Sequence, residues 1–174
     1  MSAAGAIARR AFADARVRTI SFALLFVFST YAQVTGYRSA YPTLADRAVF
    51  ARSFGDNGAV RLLYGTPHDL LSVGGYVAWR AGGTLAVFTA LWALLGAVRA
   101  MRADEEAGRA ELVLSGVVSR RAAYGAQLAA IAAGGVVLWL ALFAGLAAGK
   151  LDVGGAAYLA LALVTPIPVF AGSG

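Results

Sequence analysis

No charged residue lies between Arg18 and Arg38, between Arg80 and Arg99, between Arg121 and Lys150, or after Asp152. At about 1.5 Å per residue, each interval coiled as a helix is long enough to cross a hydrocarbon core of about 30 Å. Four spans are therefore expected, near 19–37, 81–98, 124–148 and 154–172. The first is rich in Phe, Leu and Val from Phe22 to Phe28, the second runs from Leu85 to Leu95, and the third centres on Val136 to Leu140. Pro166 and Pro168 interrupt the second half of the fourth, where each removes a backbone donor and bends a helix. Composition agrees: 60% of the residues are hydrophobic and 14% charged, against about 45–50% and about 25% in a soluble domain. The expected fold class is all-α, a polytopic membrane protein.

The distribution of arginine sets an expected orientation. Arg9, Arg10, Arg16 and Arg18 precede the first span, and Arg99, Arg102, Arg109, Arg120 and Arg121 lie between the second and third. Both groups fall on one side of the membrane, which the positive-inside rule makes cytoplasmic. The chain is thus read as a multi-pass cell-membrane protein with a cytoplasmic N-terminus. Residues 1–18 are either an interfacial helix lying on lipid or a basic tail that only sets topology. The net charge of +6 is explained by this topology, and no nucleic-acid partner is expected.

Residues 38–80 form the extracytoplasmic loop, too long for a plain connector. Thr43-Leu44-Ala45-Asp46 after Pro42 has the form of a helix start, with Asp46 placed to bond back to the cap. That helix is expected to reach about Phe54 and stop at Asp56-Asn57-Gly58, and a second short helix from Ala59 to Tyr64 to end at Gly65-Thr66-Pro67. Tyr41, Phe50, Phe54, Tyr64, Tyr76 and Trp79 give the segment an aromatic character suited to a membrane interface. Tyr64, Gly65, Pro67 and Trp79 are its expected structural residues. His68 is the one histidine; with Asp69 it makes a poor metal or proton site, and a solvated or capping role is expected.

The cytoplasmic segment 99–123 carries the sharpest pattern, RADEEAGRAELVLSGVVSRR over residues 102–121. Its acidic cluster Asp104-Glu105-Glu106 suits a helix N-terminus. Apolar Leu112, Val113, Leu114, Val117 and Val118, rimmed by charge, suit a contact surface. A solvated loop held by local ion pairs is the alternative. Consecutive carboxylates point in different directions on a helix, so paired acid–base catalysis is not indicated.

Absent features narrow the function further. The chain has no cysteine and a single lysine, Lys150, followed by Leu151, so it carries no Gly-Lys-Ser/Thr phosphate loop and no ATPase motif of its own. No HExxH or GxSxG motif supports an enzyme. The spans hold none of the intramembrane acids or bases by which ion-coupled carriers work. Gly145-Leu146-Ala147-Ala148-Gly149 is a small-xxx-small pattern suited to close helix packing. A short outer turn at 149–153 leads into the fourth span.

Together these residues resemble the N-terminal part of ABC-2-type transporter permeases, most closely the actinobacterial polyketide-antibiotic exporter permeases of the tetronasin type. The resemblance covers nearly the whole chain. It is most specific in Glu105-Glu106-x-Gly108-Arg109-x-Glu111-Leu112, in Val118-Ser119-Arg120 and in Leu63-Tyr64-Gly65. It implies a coupling loop in which Asp104, Glu105, Glu106, Gly108, Arg109, Glu111, Leu112, Ser119 and Arg120 dock onto an ABC ATP-binding subunit. No cofactor is implied for this chain itself; ATP and Mg belong to that partner. The remaining partners would be membrane lipid and the rest of the permease or a second permease half, because such permeases are about three times longer than this chain, with about twelve spans. The implied function is export of an amphiphilic or hydrophobic compound such as an antibiotic. A non-transporting membrane scaffold or assembly protein is the alternative.

Overall fold

A computed structural model of the chain describes residues 3–106 and 120–171. All regular structure among them is helical: α1 (Ala3–Ala40), α2 (Leu44–Gly55), α3 (Gly58–Tyr64), α4 (Val73–Glu106), α5 (Arg120–Ala148), α6 (Val153–Val164) and α7 (Pro166–Ala171). Four stretches are long and apolar enough to cross a membrane: Arg16–Ala40, Val73–Val98, Leu128–Ala148 and Val153–Ala171. The all-α membrane architecture with short helices between the first two spans is therefore the observed one. Residues 3–18 do not form a separate lead-in, because α1 runs on unbroken into the first apolar stretch. The second apolar helix begins at Val73, ahead of Arg80.

The four spans run alternately up and down. α1 and α5 are parallel neighbours and make the most extensive contact in the molecule. Close approaches occur in register along both, with Gly134 beside Thr19, Gly145 against Val27 and Thr30, and Gly149 against Val34. A Cβ at Gly145 would lie 2.0 Å from the Thr30 Oγ1 and 2.6 Å from the Val27 carbonyl oxygen. The small-xxx-small stretch thus seats α5 directly on the α1 backbone, which only side-chain-free positions permit. Farther down, Gly134 receives Trp92 of α4, whose ring atoms stand 2.6 Å from where a Cβ would be. Trp92, Phe26, Leu138, Leu142 and Leu146 are fully buried around this seam. Buried Thr30 and Thr89 satisfy their hydroxyls by donating to the carbonyls of Phe26 (2.6 Å) and Leu85 (2.8 Å) in their own helices.

The turn between α5 and α6 is a Schellman-type ending. The Leu151 amide donates to the Leu146 carbonyl and the Lys150 amide to the Ala147 carbonyl, with Lys150 itself left-handed at φ 67°. The glycine here, Gly149, is used for packing rather than for the turn: a Cβ on it would meet Val34 at 2.6 Å. Arg38, in the last turn of α1, donates to the Lys150 carbonyl at 2.8 Å and ties the two helix ends together. Asp152 then caps α6, its carboxylate accepting from the Gly155 amide at 2.6 Å. The break expected in the fourth span falls at Thr165, between α6 and α7. There Pro166 supplies no N–H to the helix, and its ring crowds the carbonyl four residues earlier.

Candidate functional site

Two regions hold the residues singled out in the sequence, and they lie at opposite ends of the bundle. At the end where α4 finishes and α5 begins, Asp104, Glu105 and Glu106 continue α4 rather than opening a new helix. This corrects the expected helix start. The apolar helix carries on through Arg99 and Arg102, so the carboxylates stand on the last described turn of a long helix instead of at a favourable N-terminus. Arg120 opens α5. Gly108, Arg109, Glu111, Leu112 and Ser119 lie outside the described residues. Arg18 belongs to the same end, since a Cβ on Gly96 of α4 would lie 2.9 Å from its guanidinium. That guanidinium sits over the Trp92 ring, 5.4 Å from the centroid. The two arginine-rich segments therefore share one end of the bundle.

At the opposite end α2 and α3 form an elbow over an aromatic cluster. Thr43 caps α2 as expected. Its hydroxyl accepts from the Asp46 amide at 3.1 Å, and the Thr43 amide donates to the Asp46 carboxylate at 3.0 Å. The Thr43 hydroxyl and amide together hold the Asp46 carboxyl below its ordinary range. α2 stops at Gly55, and Asn57 caps α3 by accepting from the Ala59 and Val60 amides. Below the elbow, Tyr37 of α1 and Tyr76 of α4 stack with centroids 3.9 Å apart, and Phe50 of α2 meets both edge-on at 5.8 Å. The Tyr37 hydroxyl donates to the Leu70 carbonyl, which pins the returning chain to α1.

Tyr64, Gly65 and Trp79 come together. The Trp79 indole donates to the Gly65 carbonyl at 2.8 Å, and Tyr64 meets the indole edge-on at 5.6 Å. Gly65 takes a left-handed φ of 77°, which suits glycine at the end of α3. Pro67 lies on the other side of the elbow, near Gly55. Arg80 covers the Tyr64 ring at 4.1 Å. Arg47 lies over Tyr37 at 5.7 Å and donates to the Tyr41 and Leu71 carbonyls. Tyr37, Arg47 and Arg80 were not anticipated as parts of this cluster. The four-residue spacing of Tyr37 and Tyr41 on one helix face was the signal available for the first.

The Ser72 hydroxyl, and with it the Ser72 and Leu71 amides that donate at 3.1 Å each, hold the Asp69 carboxyl below the ordinary range. Ser72 in turn accepts from the Gly75 amide at 3.0 Å and caps α4. His68 beside it is exposed. Among the described residues no three His, Asp or Glu side chains gather as a metal site.

The family described as multidrug efflux system permease Rv1217c, C-terminal domain, matches residues 49–172. The chain belongs to this family. The matched stretch holds most of the aromatic elbow and the second, third and fourth apolar helices. The chain is also 37% identical over 89 residues to the multidrug efflux system permease protein Rv1217c of Mycobacterium tuberculosis (strain ATCC 25618 / H37Rv). That match covers 51% of this chain and 16% of the relative's length. The matching Rv1217c-type domain is described as C-terminal, whereas the resemblance read from the sequence is to the N-terminal part of a permease. No solved structure matches the chain.

Proposed function

We propose that the chain is a membrane-spanning segment of an ABC-2-type exporter permease. It moves an amphiphilic or hydrophobic compound such as an antibiotic out of the cell, and ATP with Mg on a separate ATP-binding subunit drives it. The observation that carries this reading is membership of the Rv1217c-type efflux permease family by a helical bundle in which, among the described residues, no acidic or basic residue is fully buried. Among the described residues the buried polar side chains are Thr19, Thr30 and Thr89, none of which can carry a proton or an ion across the core. The energy for transport then enters from outside the bundle.

Segment 99–123 is the proposed point of entry, at the cytoplasmic end. It follows α4 and leads into α5 in the chain. α4 is one helix of 34 residues, roughly 50 Å long at about 1.5 Å per residue. A displacement at Glu106 therefore reaches Val73 and the stacked Tyr76 without an intervening hinge. α5 is keyed to α1 by Gly145 and Gly149, so α1 moves with it. A partner that binds the 102–121 segment differently in its ATP-bound and ATP-free states would bias the bundle between two arrangements.

The test is charge reversal at Glu105, Glu106 or Arg109 in the complete transporter. Export should fall and ATP hydrolysis by the partner should lose its response to the transported compound, while membrane insertion is unchanged. Normal export by these variants removes the docking role. A stable complex whose ATPase never responds to an amphiphile identifies a scaffold instead.

A further inference from the structure

The outward surface of the α2–α3 elbow carries open apolar side chains beside exposed Arg52. Neither helix buries a residue. Leu62 is 87% exposed and the adjacent Leu63 is 75% exposed, with Leu44 and Val49 of α2 also open. The elbow cannot swing free of the bundle, because Tyr37 holds Leu70, Trp79 holds Gly65, and Arg47 holds the Tyr41 and Leu71 carbonyls. α1 delivers the chain to the elbow at Ala40 and α4 receives it at Val73, both ends of apolar helices. An exposed apolar stripe, Ile20, Leu24, Phe28 and Tyr31, climbs α1 towards the same end. The elbow therefore sits at the margin of an apolar flank, among Tyr and Trp rings of the kind that collect at lipid headgroup level.

We propose that this elbow lies in the headgroup–acyl boundary of a phospholipid bilayer, with Leu62 and Leu63 inserted among the acyl chains and Arg52 set against headgroup phosphate. The charges fit that occupant. Asp46 and Asp69 spend their carboxylates on cap amides, and Asp56 pairs with Arg61 at 3.3 Å. Exposed Arg52 has no acidic partner among the described residues. What remains for the surroundings is a set of open apolar side chains, Leu62 and Leu63 the most exposed, and a cation, the pairing that an anionic interface accepts. The insertion is independent of what the bundle carries.

Because the sequence has no cysteine, single spin labels can be placed cleanly at Leu62→Cys and Leu63→Cys. Both positions are exposed, so neither substitution disturbs internal packing. The intact protein is reconstituted into vesicles of phosphatidylcholine with phosphatidylglycerol, and collisions with dissolved oxygen and with a water-soluble nickel chelate are compared. Insertion makes oxygen collisions exceed nickel collisions several-fold at both positions. Nickel collisions in excess would place the leucines in water and overturn the proposal. Protection from both reagents would place them against protein and overturn it equally.

Discussion

Replacing Gly145 with alanine puts a methyl where the bundle has no room. The new Cβ would stand 2.0 Å from the Thr30 Oγ1, 2.6 Å from the Val27 carbonyl oxygen and 3.0 Å from the Val27 Cα. Ordinary contact needs about 3.5 Å or more, so α1 and α5 must part by roughly 1–1.5 Å or tilt. Alanine gains about 0.5–1 kcal/mol over glycine within a helix, while overpacking of this kind costs about 1–3 kcal/mol. The balance is a loss of up to about 2.5 kcal/mol, centred near 1. Gly83 of α4 is the matched control, since a Cβ there meets nothing within 4 Å and Gly83→Ala should keep the gain of about 0.5–1 kcal/mol. Equilibrium unfolding in mixed micelles should therefore separate the two variants by about 2 kcal/mol, roughly thirty-fold in the folding equilibrium. Adding Thr30→Ala to Gly145→Ala should restore only part of the loss, because the Val27 backbone still obstructs the methyl. Equal stability of Gly145→Ala and Gly83→Ala would refute the packing argument.

Three further outcomes follow from the caps and turns. Thr43→Ala removes one half of the capping box and should destabilise α2 by about 1 kcal/mol; amide hydrogen exchange at Asp46 should show this as faster exchange. Lys150→Gly relieves a left-handed backbone that costs a side-chain-bearing residue about 1–2 kcal/mol. Set against the extra unfolded freedom of glycine, about 0.5–1 kcal/mol, a gain of roughly 0.5–1 kcal/mol should appear in the same unfolding assay. The Asp69 turn that leads into α4 should be acid-labile. Asp69 is held below its ordinary value of 3.8, so its contribution is complete above that value and is lost as pH falls through the lowered one. The Leu71 and Ser72 amides should stay protected down to the ordinary carboxylate range and open below it, and Asp69→Asn should abolish that pH dependence.

The spans were legible because hydrocarbon cannot solvate charge, so the intervals between arginines mark what lipid permits. Thr43, Asp46 and the Asp56-Asn57-Gly58 stop were legible because capping is a local matter of a few bonds. The fourth-span break was legible from Pro166 for the same reason. The early start of α4 was hidden by Arg80, a charge that seemed to bound the span, yet its guanidinium is spread over the Tyr64 ring. Arg18 over Trp92 is a second case. The Gly145–Gly149 stretch announced close packing but not its partner, which depends on how α1 and α5 align in space. Gly134 gave no signal at all, because its role is set by Trp92 arriving from another helix. The acidic run at Asp104–Glu106 was misread for a related reason: its local preference for a helix start yields to the continuation of α4.

We propose that these apolar helices belong to an exporter driven by ATP on a partner subunit. Inside-out vesicles carrying the complete transporter, loaded externally with a fluorescent amphiphile, test it directly. ATP-dependent accumulation that persists when a protonophore collapses the proton gradient is expected. Accumulation that continues without ATP and vanishes with the gradient would contradict it.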